Sequence, residues 1–356
     1  MFLILALISV GIAILFWLLD RVTLSPKGRY VLITGCDTGF GNALAKSLDR
    51  KGCNVFATCL TPNGAKTLEE CTSDRLHVIM MDVLKSESIK EAFEEVQKKL
   101  PQGTGLWGLV NNAGVTGNVG YYDWWTRDDF RRILEVNLLG VIEVTNVFLP
   151  LVKKVKGRIV NMSSGIALAP CSAGGYAISK VGIETYSDCL RLQLHHFQTS
   201  VHIIEPSFFQ TDGMQRKKAF DDPLERAWSR MSKEQQDAYG RSCIDEFKQL
   251  YGEISKTADT RIHLVTDSIE HALFAKYPWK RYPVGGLIRF VARPGGLLPS
   301  FIGDFLRYNF VPFPTPHRGQ IRREDTNATR EQQNVNGTRQ GLDCGLETIR
   351  RDTKSD

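Results

Sequence analysis

The sequence predicts an α/β fold, a doubly wound parallel sheet in a single large domain, preceded by an apolar helix. Three observations carry the prediction. Strand-like apolar runs alternate with amphipathic helical stretches between residues 29 and 206, as expected of a parallel sheet with crossover helices. The first run passes directly into a glycine-rich turn and then a helix, the arrangement of a nucleotide-binding βα unit. Gly35, Asp82, Asn111, Ser164 and Pro206 all fall at or just after predicted strand ends, the edge at which open α/β sheets bind ligands.

Phe2 to Leu19 runs for eighteen residues without a charge, just long enough to span a bilayer core. A cleaved signal peptide would show a basic leading region and a small-x-small cleavage site, and neither is present. Trp17 sits where an interfacial aromatic belongs, and Arg21, Lys27 and Arg29 follow on the carboxyl side. By the positive-inside rule the following domain then faces the cytosol. Residues 1–27 are therefore read as a membrane anchor.

Arg29 to Thr34 reads as the first, buried strand. Gly35-Cys-Asp-Thr-Gly39-Phe-Gly41 and a helix from Asn42 follow, placing backbone N–H groups and the positive end of a helix against a diphosphate. Asn54 to Thr58 is a second strand. It ends in Cys59-Leu60-Thr61, with neither an acid for a ribose hydroxyl nor a base for a 2′-phosphate, and Lys66 reads as a solvated helix residue. His77 to Val83 is a third strand, ending in Asp82, which is placed to meet an adenine edge. Ser88 to Leu100 is an amphipathic helix. Leu106 to Val110 is a fourth strand running into Asn111-Asn-Ala-Gly114, where small residues let backbone pass close to a cofactor ring. Phe130 to Thr145 reads as one long helix with Asn137 inside it, where asparagine is unfavourable. It marks a surface residue, a local kink, or an inward polar group that holds a water near the site.

Lys156 to Ser164 is the fifth strand and delivers Ser163-Ser164; Val201 to Pro206 is a sixth. Between them stands Tyr176-Ala-Ile-Ser-Lys180, at i and i+4 of a helix continued by Ile183, Tyr186, Leu190 and Leu194. A free tyrosine is a poor base near neutrality. A neighbouring ammonium favours its phenolate, and such a tyrosine can exchange a proton with an alcohol or carbonyl. Taken alone, the pair equally describes a solvated helix face.

Residues 207–260 read as a substrate lid, with Phe208, Phe209, Met214, Trp228, Met231, Tyr239, Phe247, Leu250 and Tyr251 as its apolar positions. Trp124 and Trp125 face either the pocket or the core. Residues 286–318 are apolar but broken by Pro294, Gly295, Gly296 and Pro299, which suits helices lying in a membrane interface. Residues 319–356 read as a disordered polar tail whose Asn327 and Asn336 sequons matter only in a lumen.

With 356 residues, 42% hydrophobic and 24% charged, the chain can build one large core or two modest ones. The net charge of +6 is spread along it, without the basic, aromatic-interleaved stripe of nucleic-acid binding. The eight cysteines form no Cys-x-x-Cys and no zinc-spaced cluster with histidine. No metal site is expected, and most read as buried reduced thiols.

In order and spacing, Thr34-Gly-x-x-x-Gly-x-Gly41, Asn111-Asn-Ala-Gly114, Asn137, Ser164 and Tyr176-x-x-x-Lys180 resemble the short-chain dehydrogenase/reductase pattern, over roughly residues 28 to 285. A narrower set resembles the branch holding microsomal retinol dehydrogenases and 3-alpha/17-beta-hydroxysteroid dehydrogenases. It includes Thr34 to Gly41, Ala57 to Thr61, Glu184 to Arg191, Glu205-Pro206 and His271 to Tyr282. The hydroxybutyrate dehydrogenases are similar too. One departure is Ser207, where the branch usually has glycine after the proline. The resemblance implies a Rossmann fold and NAD(P)-dependent alcohol/carbonyl chemistry. It makes Tyr176 the general acid/base and Lys180 the group that binds the nicotinamide ribose and lowers the phenol pKa. Ser164, rather than Ser163, orients the substrate oxygen, and Asn137 supports a proton-relay water. It carries cofactor binding onto Thr34, Gly35, Asp37, Thr38, Gly39, Phe40, Gly41, Asp82, Val83, Asn111, Ala113, Gly114, Tyr176, Lys180, Pro206 and Thr211. It implies a lipophilic steroid or retinoid substrate held by Ser164 and Tyr176, an endoplasmic-reticulum membrane location, and pairing of two copies through the helices of Asn137 and Tyr176. NAD is the branch's usual cofactor, with NADP the alternative. The rival readings are a short hydroxy acid such as 3-hydroxybutyrate as substrate, or a non-catalytic dinucleotide- or lipid-binding scaffold.

Overall fold

The computed structural model describes residues 2–168, 174–211, 218–286, 288–296, 298–310 and 313–316. Seven parallel strands form one sheet: β1 (Tyr30–Ile33), β2 (Asn54–Cys59), β3 (Leu76–Met80), β4 (Gly108–Asn111), β5 (Arg158–Met162), β6 (Ser200–Pro206) and β7 (Arg281–Val284), in the order β3-β2-β1-β4-β5-β6-β7. The order reverses between β1 and β4, and a crevice opens there at the carboxyl ends of the strands. In register, Ile33 pairs with Val110, so Thr34 and Asn111 end side by side.

Side-chain alternation along the strands feeds a core on each face. Val31, Ile33, Val55 and Ala57 pack under α2 (Gly39–Arg50) and α11 (His263–Phe274). Leu32, Phe56, Leu109 and Ile159 pack on the other face under α4 (Ser86–Lys99), α6 (Gly140–Lys154) and α7 (Gly174–Leu194). The doubly wound expectation therefore holds. Four of the six described cysteines are buried, and all six are free.

Two sequence expectations need correction. The six predicted strands become seven. Arg281-Tyr-Pro-Val is short and contains Pro283, which an edge strand tolerates. Its Arg281 bridges Glu184 and Asp188 of α7 and Glu205 of β6, the last at 3.0 Å. The single long helix around Asn137 is α5 (Arg127–Leu134) and α6 joined by a π turn, Glu135–Leu139. Residues 286–310 form two helical stretches as expected, the first a π turn, Ile288–Ala292, continued by Arg293–Gly295, and the second Ser300–Phe310.

The lid region folds as α8 (Lys218–Arg230), α9 (Lys233–Tyr239) and α10 (Arg241–Thr257) around its own core. Leu224, Ile244 and Phe247 pack there with Trp124 and Trp125, which settles both tryptophans as core residues. Met214, Leu287, Leu297 and the polar tail lie outside the described residues.

The apolar leader is helix α1 (Phe2–Asp20), with Val10, Ile14, Leu15, Trp17 and Leu18 exposed. Among the described residues one helical stretch, Arg127–Lys154, is long and apolar enough to cross a membrane, and Ser9–Asp20 is a shorter apolar one. Val144, Phe148 and Val152 of the longer stretch are buried under the sheet, however, so it is a core element.

Candidate active site

The glycine turn is fixed by close packing on the end of β4. A Cβ on Gly35, at φ +70°, would stand 2.8 Å from Ala113 Cα, and one on Gly41 would overlap Asn112. The Thr34 hydroxyl accepts from the N–H groups of Asn112 (3.0 Å) and Ala113 (2.9 Å). Asn112 Nδ2 donates to the carbonyls of Thr34 (2.8 Å) and Gly35 (3.0 Å). Asn112 was not among the predicted site residues, yet it is the asparagine that clasps the turn. Asn111 points into the fold, where its Nδ2 donates to Thr145 (2.9 Å) and Asn161 (2.8 Å). Its side chain is turned away from the crevice.

On the opposite side Thr211 lies 3.6 Å from where a Gly39 Cβ would stand, and Phe209 packs edge-on against Phe40. Thr38, the residue that opens α2, makes no side-chain cap bond. The first N–H groups of that helix thus have neither an intrahelical nor a side-chain acceptor, the condition a bound diphosphate satisfies. The residues present fit a dinucleotide.

Asp37 closes the end of β2. Its carboxylate accepts from the N–H groups of Leu60 (2.9 Å) and Thr61 (2.8 Å) and from the Thr61 hydroxyl (2.6 Å). A carboxylate thus stands at the end of β2 although it comes from the glycine turn, a placement no local spacing reveals. Lys66 is exposed beside Glu70, as a solvated residue should be. Asp82 follows β3 at the crevice edge, where its Oδ1 accepts from Leu84 N–H (3.0 Å) and Lys85 stands at 3.6 Å.

Tyr176 and Lys180 come from the first turns of α7, and Ser164 from the end of β5. The Ser164 hydroxyl neighbours the Tyr176 phenol and accepts from Ile166 N–H at 3.3 Å. Ser163 instead donates to the Lys180 carbonyl at 3.4 Å, which separates the two serines where sequence could not. Lys180 is buried. Its Nζ donates to the Met162 carbonyl at 2.8 Å and stands 5.6 Å from the centre of the Tyr176 ring. Burial lowers the Lys180 ammonium to about 8. Burial also raises the Tyr176 phenol, and the neighbouring Ser164 hydroxyl offsets this only in part. Burial, rather than the Lys180 ammonium, sets the direction of the phenol's shift here.

Asn137 is fully buried in the π turn. Its Oδ1 accepts from Val115 N–H (2.8 Å), while Nδ2 donates to Val115 O (2.9 Å) and the Ser179 hydroxyl (3.2 Å). Both amide donors are used, so the side chain pins the loop after β4 to α7. Pro206 ends β6, and Ser207 donates its N–H to Val284 O at 2.9 Å while its side chain rests on Gly285, at φ +106°.

A parallel sheet that reverses at such a crevice, with an uncapped helix start on one side and a tyrosine–serine pair on the other, belongs to the nicotinamide-dinucleotide oxidoreductases. Comparison with known proteins narrows the class. The short chain dehydrogenase family profile matches residues 29–222, and the chain belongs to that family. It is 41% identical to retinol dehydrogenase 16 of Rattus norvegicus over 294 residues, 83% of this chain and 92% of the relative. It is 39% identical to 17-beta-hydroxysteroid dehydrogenase type 6 of Homo sapiens over 302 residues, 85% of this chain and 95% of the relative. Among solved structures, a short-chain dehydrogenase from Streptomyces avermitilis aligns with TM-score 0.62 at 22% identity, covering 79% of this chain and 96% of that one. Another, from Burkholderia phymatum in complex with NAD, aligns with TM-score 0.59 at 19% identity, covering 73% and 89%. Both share the fold.

Proposed function

We propose that the protein interconverts a lipophilic secondary or allylic alcohol, of the steroid or retinoid class, with its ketone or aldehyde at a membrane surface. The observation that carries this is the half-buried Ser164–Tyr176 pair beside the buried Lys180, in a chain about 40% identical to a retinol dehydrogenase and a hydroxysteroid dehydrogenase. The substrate oxygen sits between the two hydroxyls. Ser164 holds it, and Tyr176 gives its proton to a carbonyl or takes one from an alcohol. The raised phenol pKa keeps Tyr176 protonated in the free site, ready as a general acid. Lys180 has spent one of its three N–H groups on Met162 and offers the rest to the cofactor ribose. When bound, the nicotinamide supplies the two-electron redox partner and, when oxidised, a positive ring charge.

The glycine turn, Asp82, Val83 and Thr211 frame the dinucleotide. NAD is the preferred form, because the carboxylate of Asp37 stands at the β2 end where a 2′-phosphate would bring like charge. Helix α1, exposed at Val10, Ile14, Leu15, Trp17 and Leu18, anchors the chain, and the exposed Phe290, Phe301, Phe305 and Tyr308 support a membrane contact for residues 286–318. Arg21 and Lys27, on the carboxyl side of α1, favour a cytosolic domain on the endoplasmic-reticulum membrane. Leu139, Ile178 and Val181, exposed near the π turn and on α7, support a homodimer through those helices.

The test is reduced-nicotinamide formation by detergent-solubilised protein, with NAD and NADP separately, over steroids, retinol and short hydroxy acids. Turnover of short acids alone would overturn the lipophilic assignment. Tyr176→Phe should lower turnover by about 10³-fold while leaving NAD binding intact, since a positioned acid/base contributes about 10²–10⁴. Near wild-type turnover in that variant would remove the catalytic assignment.

A further inference from the structure

The foot of α1 is not a free linker. An antiparallel bridge joins Thr23 to Ala275, Leu24 donates its N–H to Phe274 O at 2.6 Å, and Lys276 donates to Val22 O at 2.7 Å. His271 Nε2 donates to Asp20 O at 3.0 Å and stands 3.1 Å from the Asp20 carboxylate. Its Nδ1 accepts from the Tyr282 hydroxyl at 2.9 Å, and that hydroxyl accepts from Trp279 N–H at 2.8 Å. Trp279 in turn stacks on Tyr282, with ring centres 5.5 Å apart. Two distant segments, the end of the leader helix and the loop between α11 and β7, are thus locked into one unit.

The outer surface of this unit has a definite chemistry. Trp17, Tyr277 and Trp279 are about half exposed. Arg21 lies 3.8 Å over the Trp17 ring and Lys276 lies 5.6 Å from that of Tyr277. Lys280 is exposed beside them. No carboxylate occurs between residues 271 and 286. The nearby Glu270 is held by Lys51 and Ser47, and Asp20 faces His271. Exposed aromatics with polar edges, interleaved with unopposed cations at the end of an apolar helix, match the headgroup layer of an anionic bilayer.

We infer that Trp17, Arg21, Lys276, Tyr277, Trp279 and Lys280 form a collar that seats the domain in the headgroup layer of an anionic membrane, so that the domain is held at a fixed attitude rather than tethered. The inference rests on α1 being the anchor. Its continuity with that helix and its charge select a lipid surface as the occupant.

The experiment uses the full chain in bilayer discs of phosphatidylcholine, with and without phosphatidylserine, with lipids brominated near the headgroup end of the acyl chains. The quenching owed to each indole is read as the difference between wild type and Trp17→Phe or Trp279→Phe. Both indoles should be quenched. The Trp279 share should fall at least about twofold when phosphatidylserine is omitted, or in Lys276→Glu/Lys280→Glu, since both remove the attraction between these lysines and anionic headgroups. The lysine pair is exposed, so this variant keeps the clamp intact. Quenching of Trp17 without Trp279 would overturn the collar and leave the anchor standing. Quenching of neither would remove the anchor and the collar together. A Trp279 share indifferent to lipid charge and to the lysines would overturn the anionic-lipid assignment.

Discussion

Tyr176 and Lys180 are pulled in opposite directions by the same burial: the phenol is pushed up and the ammonium down to about 8. The lysine's folded value lies below its ordinary 10.5. The unfolded chain therefore binds more protons between about pH 8 and 10.5, and stability contributed by this group rises with pH across that window. Below it, the buried cation is a standing cost. Lys180→Met should raise the midpoint of thermal unfolding of the cofactor-free protein at neutral pH, by about 2 kcal/mol of stability, while abolishing turnover. A melt series against pH checks both the gain and its loss above pH 10. Asp37→Asn removes the charge at the β2 end and should raise kcat/KM with NADP relative to NAD by about tenfold, the equivalent of about 1.4 kcal/mol. The spacing of tyrosine and lysine was legible in the sequence because helix periodicity is local. Their desolvation was not, since it comes from the loop at Gly117, whose Cβ would overlap Tyr176, and from the packing around β5.

At the scale of elements, the carboxyl end of β5 is covered by a segment more than a hundred residues away. Ile288 is buried on Gly165, and a Cβ there would overlap its side chain. Gly165→Ala should therefore displace the turn that carries Ser164 and lower turnover by about 10-fold, and adding Ile288→Ala should restore most of it. A double-mutant cycle in kcat/KM measures this coupling, and additive losses would show that the two do not meet. The contact also explains what the sequence showed and hid. Residues 286–310 were legible as apolar and interrupted, yet Ile288, which turns inward, is indistinguishable by composition from Phe290, which turns out. β7 was hidden for a related reason: four residues including a proline and an arginine do not read as a strand until Arg281 finds Glu184, Asp188 and Glu205.

For the molecule as a whole, the sheet cores and the lid core are distinct, and this separates their failures. Phe247 is fully buried among Trp124, Tyr121 and Phe313 in the lid. Phe247→Ala should cost about 3–5 kcal/mol locally. The expected result is a raised KM for the alcohol and earlier proteolysis within residues 218–257, with NAD affinity unchanged. Loss of NAD binding to the same degree would show one cooperative unit instead. The doubly wound order and the crevice could be read from the alternation of strands and helices and from polar residues at strand ends. The lid's helices could not be placed so directly, because their apolar positions pack on one another rather than on the sheet.

The π turn at Glu135–Leu139 has a consequence for chain length. Its bond from Gly140 N–H to Glu135 O spans one residue more than an α-turn, so α5 and α6 run out of phase with a continuous helix. Restoring the phase by dropping one residue there would rotate α6 by about 100° about its axis. Either Val144, Phe148 and Val152 would leave the sheet, or Asn137 would leave Val115. Substitutions along this helix can be absorbed one at a time, but its count of residues is fixed, because it sets the winding that joins the core to the site.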